Sequence, residues 1–186
     1  MSIMWSAGML FTTTIAFGSF AAEPLRTAAL DDDDSKFFEK AASADMLEVE
    51  SGRLAAKKAT NSQLKKFGKR MATDHAQAIA KLRALAARKG VALPSAMSDD
   101  HQKKLAKLRE EKLGKNFDAR FRDLMVDSHK DAVSLFEHTA KDSQDPDVRA
   151  FAAKMLPKLQ QHEAAAKALP MILEVPASAP SAPIIP

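Results

Sequence analysis

Apolar residues recur at three- and four-residue intervals through four long segments of this 186-residue chain, which is the spacing of residues on one face of a helix. These segments predict helices over about residues 35–59, 62–89, 117–140 and 146–169. Gly90 follows the second segment as a left-handed C-cap, and Asp145 caps the fourth with Pro146 at the first helical position. Pro157 predicts a kink in the fourth helix, because proline removes one helical hydrogen bond.

The connections between the segments predict their topology. A two-residue turn joins the first pair, and the last pair also forms a hairpin. The long middle connection, residues 90–115, carries a short helix that Ser98 caps and that runs to about Leu113 before stopping at Gly114. Two hairpins joined by one long connection predict an all-α, antiparallel four-helix bundle of the ferritin-like kind over residues 35–169, since simple up-and-down bundles have short loops throughout.

The two ends of the chain differ from this helical region. Residues 1–21 contain no charged side chain and carry the apolar run "MLFTTTIAFGSF", which predicts a signal peptide and a periplasmic or secreted protein. An uncleaved membrane anchor is the alternative, because the segment lacks Lys and Arg. Residues 22–34 are expected to form an acidic linker, with Asp34 or Ser35 as the first helix cap. Residues 170–186 are rich in Pro and Ala and predict a disordered tail.

Composition excludes several classes of function. The net charge of +4 comes from charges scattered along the whole chain, and the chain has no Tyr and a single Trp. Because neither a dense basic block nor an aromatic stacking surface is present, we do not expect binding to nucleic acid. The absence of Cys excludes disulfides, thiolate metal sites and a cysteine nucleophile. No catalytic residues are assigned, and an enzyme is not the favoured prediction.

Three of the predicted helices place a histidine in the middle of the apolar face that they should bury. These histidines are His75, His129 and His162. The first helix contributes Glu48 within a face of small residues, with Asp45 one turn earlier. By helical rise, Glu48 and His75 differ in height by roughly 3 Å across their hairpin, whereas His129 and His162 differ by roughly 7 Å. His162 is therefore expected either to bind directly or to support the other residues.

A buried polar group without a partner costs about 1–3 kcal/mol, so these side chains must bond to one another, hold water or share an ion. A single transition-metal ion would satisfy all four, and imidazole with carboxylate suits Zn, Fe, Mn or Cu(II). Asp45 or Asp74 would then ligate the ion or orient a ligand. Met71 and Met125 each precede a site histidine by one turn. They are interpreted as core residues, although thioether ligands would favour copper.

Three motifs carry a resemblance to a known family: Met-x-x-Asp-His in "RMATDH", Gly-Val-x-Leu-Pro in "GVALP", and Leu-Pro-x-Leu-x-x-His in "LPKLQQH". With these motifs the chain resembles, over residues 35–169, exported bacterial proteins grouped as domain of unknown function 4142, which are regarded as ferritin-like. The resemblance implies a helical bundle in the cell envelope or periplasm. The family pattern falls on Glu48, His75, His129 and His162.

The residues three positions before the site histidines limit the ferritin analogy. Di-iron bundles carry Glu-x-x-His motifs, but Ala72, Val126 and Leu159 stand at those positions here. A mononuclear or redox-silent site is therefore predicted, in a protein with a metal-handling or envelope stress role. The alternative is a metal-free interaction module, in which the histidines form an internal hydrogen-bond network and the basic exterior docks on an anionic envelope component or a partner protein.

Overall fold

The computed structural model describes residues 30–170, where the chain forms five α-helices and no strand. These helices are α1 (Asp32–Lys58), α2 (Ser62–Lys89), α3 (Asp99–Glu110), α4 (Lys115–Asp142) and α5 (Pro146–Lys167). Helix α1 packs against α2 and α4, and α5 packs against α4 and α2, while α3 lies against α1 and α4. The predicted all-α class is thus confirmed. The predicted signal peptide and residues 171–186 of the predicted tail lie outside the described residues.

The caps follow the sequence prediction at three of the helix ends. Gly90 has φ 68° and ends α2 in the left-handed conformation. Ser98 caps α3 by accepting from the backbone N–H of His101, and Asp145 caps α5 by accepting from two backbone N–H groups. Helix α5 continues through Pro157, and the predicted kink stays a prediction.

The largest differences from the predicted helix bounds lie at the start of α1 and the end of α3. Helix α1 is capped by Asp31, whose carboxylate accepts from the Asp34 backbone N–H at 2.7 Å, so the predicted caps at Asp34 or Ser35 were wrong. Acidic side chains are favourable inside the first turn as well as before it, which allows the helix to start earlier and to include the end of the predicted linker. Helix α3 ends at Glu110, before the predicted Leu113, and α4 begins directly after Gly114.

Buried apolar side chains form two groups, one on each side of the three histidines. The first group surrounds Phe117 and Phe121 near α3, and the second surrounds Phe37 and Phe136. Along α2 the chain passes from Met71 in the first group through His75 to Leu82 in the second; along α4 it passes from Met125 through His129 to Ala132. The histidines therefore form a polar layer between two apolar layers.

Helices α1 and α2 approach each other closely at two glycines. A Cβ atom built on Gly52 would lie 2.6 Å from the carbonyl oxygen of Gly68, and one built on Gly68 would lie 2.7 Å from the carbonyl oxygen of Gly52. The absence of both side chains lets the two backbones touch. Gly52 is one turn after Glu48, so this approach brings the Glu48 carboxylate within reach of α2.

The α1–α2 turn is held by a carboxylate from α4. The buried Asp118 side chain accepts hydrogen bonds from the Thr60 backbone N–H, the Thr60 hydroxyl and the Asn61 backbone N–H. We expect Asp118→Ala to lower the free energy of unfolding by about 2–3 kcal/mol, because it leaves these donors without an acceptor. Urea unfolding would measure the loss. The matched control is Asp123→Ala on the exposed face of the same helix, for which a change below about 0.5 kcal/mol is expected.

Candidate metal-binding site

The imidazole rings of His75, His129 and His162 meet at the middle of the helical assembly. They come from α2, α4 and α5, and each residue is at most 2% exposed. The ring centroids are separated by 5.4 Å for His75 and His129, 5.3 Å for His75 and His162, and 5.4 Å for His129 and His162. The three rings therefore stand at the corners of a nearly equilateral triangle.

One nitrogen of each ring is held by a protein acceptor. Nδ1 of His75 lies 2.7 Å from a carboxylate oxygen of Asp45 and 2.7 Å from one of Glu48. Nδ1 of His129 donates to the carbonyl oxygen of its own helix one turn earlier, at 2.8 Å, and Nε2 of His162 lies 2.9 Å from a carboxylate oxygen of Asp74. Carboxylate and carbonyl oxygens only accept, so these partners place a proton on each bonded nitrogen.

The other nitrogen of each ring is buried and has no hydrogen-bond partner among the described residues. These atoms are Nε2 of His75, Nε2 of His129 and Nδ1 of His162. One potential ligand atom from each ring can be chosen so that all three lie within 4.8 Å of one another. Three unbonded nitrogens in one buried layer are costly, since each buried polar atom without a partner loses about 1–3 kcal/mol. A cation bound between the rings would satisfy all three at once.

Glu48 lies behind two of the rings. It is 1% exposed; one oxygen faces Nδ1 of His75, and the other lies 3.3 Å from Nδ1 of His129 and accepts from the Ser128 hydroxyl. Carboxylates in this position orient imidazoles and make them stronger ligands. Asp45, Glu48 and His75 also form a second group of potential ligand atoms, on the Nδ1 side of His75. Glu48 can thus support the three-nitrogen position or bind a cation on that second side.

The carboxylates set the charge of His75. Burial lowers the pKa of His75, but Glu48 and Asp45 outweigh it and raise that pKa to about 10. Burial raises the pKa of Glu48, yet the facing His75 and His129 rings hold it well below its ordinary value. Burial raises the pKa of Asp45 to about 6, although the bond to His75 acts in the opposite direction. The pocket thus favours a positive charge near His75, which a proton supplies when no metal is bound.

The environment of His162 is different. Burial lowers its pKa to about 4, and the neighbouring His75 and His129 act in the same direction. His162 is therefore neutral at physiological pH and able to donate a lone pair to a metal. Burial raises the pKa of Asp74, but hydrogen bonds from Lys158 and His162 outweigh it and lower that pKa. Asp74 stays ionised beside the ring.

The structure brings together all six residues singled out in the sequence: Asp45, Glu48, Asp74, His75, His129 and His162. The offset of roughly 7 Å predicted between His129 and His162 does not separate their rings. Helix α4 continues to Asp142, two residues further than predicted, which alone reduces the offset by about 3 Å.

Three contacts to the acidic side chains of the site were missed. Ser128 donates to Glu48, and Lys158 and Arg70 lie 3.0 and 3.4 Å from Asp74. Ser128 is adjacent to His129 in the chain, but helical spacing alone did not predict that its hydroxyl faces α1. The other two histidines of the chain lie outside the site: His101 bonds to Ser43, and His138 is exposed and pairs with Asp142 on its own helix.

Fold and site define an all-α protein with a buried cluster of histidines and carboxylates. The family model for "Domain of unknown function (DUF4142)" matches residues 19–169, and the chain belongs to this family. None of the curated proteins compared with the chain matches it. Among solved structures, a crystal structure of a DUF305 fragment from Deinococcus radiodurans has a similar fold, with a TM-score of 0.65 and 12% sequence identity. The match covers 75% of this chain and 96% of that one.

None of the helices in the described range 30–170 combines the length and apolar character needed to cross a membrane.

Proposed function

We propose that this protein binds one transition-metal ion between α2, α4 and α5 through Nε2 of His75, Nε2 of His129 and Nδ1 of His162. The observation that carries the proposal is the set of three buried, unbonded nitrogens from three helices, with ligand atoms of the three rings within 4.8 Å. Glu48, Asp45 and Asp74 hold the opposite nitrogens of His75 and His162 and so fix the orientation of these rings.

The dimensions of the layer suit such an ion. Bonds of about 2.0–2.1 Å from a metal to three nitrogens place those nitrogens about 3.4 Å apart. Nitrogens within 4.8 Å reach this spacing if each ring moves inward by less than about 1 Å. Three imidazoles suit Zn, Fe or Cu, with Mn as a further candidate where a carboxylate also binds. The nearby carboxylates would offset the charge of the ion in this buried layer.

The location and cellular role belong to the same proposal. We place the protein outside the cytoplasm, in the periplasm or secreted, with a ferritin-like arrangement of its four long helices and a role in metal handling or envelope stress. The uncharged N-terminal segment, residues 1–21, supports export. The polar layer between two apolar layers supports a site built into the core of a helical bundle. No turnover reaction is assigned.

Metal titration tests the proposal. The full chain, purified without an affinity tag, is expected to bind one equivalent of metal and to be stabilised by about 2.7 kcal/mol when the free metal exceeds the dissociation constant 100-fold. His129→Ala removes one of three ligands and is expected to weaken binding by more than about 100-fold. Calorimetry and thermal unfolding with Zn, Fe, Mn and Cu would measure both effects.

His138→Ala is the matched control for His129→Ala, because the same change falls on the same helix at an exposed position. It should bind metal as the unchanged protein does. Absence of bound metal and of any thermal shift with all four ions would refute the proposal.

A metal-free interaction module is the alternative function. One nitrogen of each ring already donates a hydrogen bond to a carboxylate or carbonyl oxygen of the protein. Such bonds are expected of an internal hydrogen-bond network and therefore favour this alternative. In this case a basic exterior binds an anionic envelope component or a partner protein. Two results together would favour the module. The unchanged protein would bind no metal, and the double variant His75→Ala with His129→Ala would still bind anionic vesicles in a salt-sensitive way.

A further inference from the structure

A small cavity lies beside the three-histidine layer, between α2 and α5, and the partly exposed Lys158 is among its lining residues. Its volume is about 20 Å³, which is room for a single water or ion. Its lining includes Asp45, Asp74, His75, Met155, Lys158 and His162, and its other lining side chains are apolar. We call this cavity and its mouth the α2–α5 seam.

Exposure falls stepwise along the seam from the surface to the rings. The side chain of Lys158 is 43% exposed and that of Asp74 is 17% exposed, whereas those of His75 and His162 are 3% and 1% exposed. Asp74 spans this gradient: one carboxylate oxygen lies 3.0 Å from the Lys158 ammonium, and the other lies 2.9 Å from Nε2 of His162. Arg70 adds a weaker contact to Asp74 at 3.4 Å.

The other sides of the layer offer poorer access. Apolar groups close it toward both ends of the helices, where large side chains such as Phe117 and Phe37 are fully buried. A surface groove between α1 and α4 reaches Ser128, but Glu48 stands between that residue and the rings. The α2–α5 seam is therefore the side of the layer on which partly exposed polar side chains lie next to the rings.

We propose that the metal ion enters and leaves through the α2–α5 seam and that Lys158 controls the rate of both steps. Because Lys158 places a positive charge at the mouth and occupies an oxygen of Asp74, an arriving cation must displace it. Asp74 then receives the cation and passes it to His162 and His75. Lys158 does not touch the bound ion, so it affects the rates of exchange more than the affinity. This inference rests on the proposed metal-binding function.

Stopped-flow mixing of the full metal-free chain with Co²⁺ tests the route, using the visible absorption that develops as Co²⁺ acquires imidazole ligands. Lys158→Gln is expected to speed uptake by about three- to tenfold, since it removes one repulsive charge from the path. Release to EDTA should speed up by a similar factor, while the dissociation constant changes by less than about threefold. A parallel rise in both rates, with the free energy of unfolding unchanged, distinguishes removal of a charge barrier from loosening of the packing between α2 and α5.

Lys154→Gln is the matched control, because it makes the same charge change one turn earlier on α5 at an exposed residue that does not line the seam. It should exchange metal at the rate of the unchanged protein. Equal rates for Lys158→Gln and the unchanged protein, slower exchange, or the same acceleration in both variants would overturn the route while leaving metal binding intact. If no variant binds Co²⁺ or the other ions tested, the proposed function itself fails.

Discussion

Glu48→Gln is expected to lower the free energy of unfolding of the metal-free protein by about 3 kcal/mol and to weaken metal binding by about 10- to 100-fold. Glu48 is buried, and its two oxygens face the Nδ1 atoms of His75 and His129. Glutamine keeps the volume but offers one oxygen, so one ring N–H must face an amide N–H. The charge that balances His75 is lost as well. Urea unfolding in EDTA and metal calorimetry would measure the two effects.

Glu50→Gln provides the matched control, since it makes the same change two residues further along α1. Glu50 pairs with Arg53 at 2.9 Å and with Arg109 at 3.6 Å on the surface, where such pairs contribute about 0–1 kcal/mol. We expect little change in stability and none in metal affinity. If Glu48→Gln behaved in the same way as Glu50→Gln, the carboxylate of Glu48 would not be engaged with the rings.

The penalty of Glu48→Gln should depend on pH in a specific way. The pKa of Glu48 is lowered from 4.5, so its contribution to stability is present above about pH 4.5 and is lost as the pH falls. The pKa of His75 is raised from 6.5 to about 10, so its contribution is complete below about pH 6.5 and is lost as the pH rises toward 10. The difference in the free energy of unfolding between Glu48→Gln and the unchanged protein is therefore expected to be largest between about pH 4.5 and 6.5. A penalty that stays constant from pH 3 to 10 would contradict this coupling.

Gly52→Ala is expected to lower the free energy of unfolding by about 2–3 kcal/mol, although alanine is the better helix former by about 1 kcal/mol. The added Cβ would lie 2.6 Å from the carbonyl oxygen of Gly68 and 2.9 Å from the backbone nitrogen of Ala72. A clash with a side chain can be relieved by a change of rotamer, but a clash with backbone atoms cannot. Helices α1 and α2 must therefore separate. Because Glu48 is one turn away, metal affinity should fall as well.

Thermal and urea unfolding would measure the loss caused by Gly52→Ala. Ala76→Ser is a suitable control, since it adds one heavy atom to the exposed face of α2 and is expected to change stability by less than about 0.5 kcal/mol. A Gly52→Ala protein that is as stable as the unchanged chain would show that the two helices can separate without cost.

Sequence periodicity was most reliable where the controlling interactions are local. The bounds of α2 were predicted without error, because Asn61 caps one end and Gly90 the other. The prediction failed at the start of α1, where four consecutive aspartates, residues 31–34, offer several equivalent caps. Local sequence does not choose among them, and the structure caps the helix with Asp31 while burying Asp34.

The composition of the site was also accessible from the sequence. A histidine in the middle of an apolar face is conspicuous because helical spacing alone places His75, His129 and His162 among core residues. The hydrogen-bond partner of each ring nitrogen could not be predicted from the sequence. That depends on the distance and crossing angle between helices, which the Gly52–Gly68 approach and the length of α4 determine.

The sequence by itself determined that residues 30–170 are helical, approximately where the helices lie, and which polar residues their apolar faces would bury. It could do so because helical periodicity and capping act between residues a few positions apart. Only the tertiary structure decided that Glu48 pairs with His75 and that Lys158 contacts Asp74. It also left one buried nitrogen of each ring without a hydrogen-bond partner among residues 30–170. These arrangements depend on contacts between helices that are distant in the chain, and the packing of the whole core sets them.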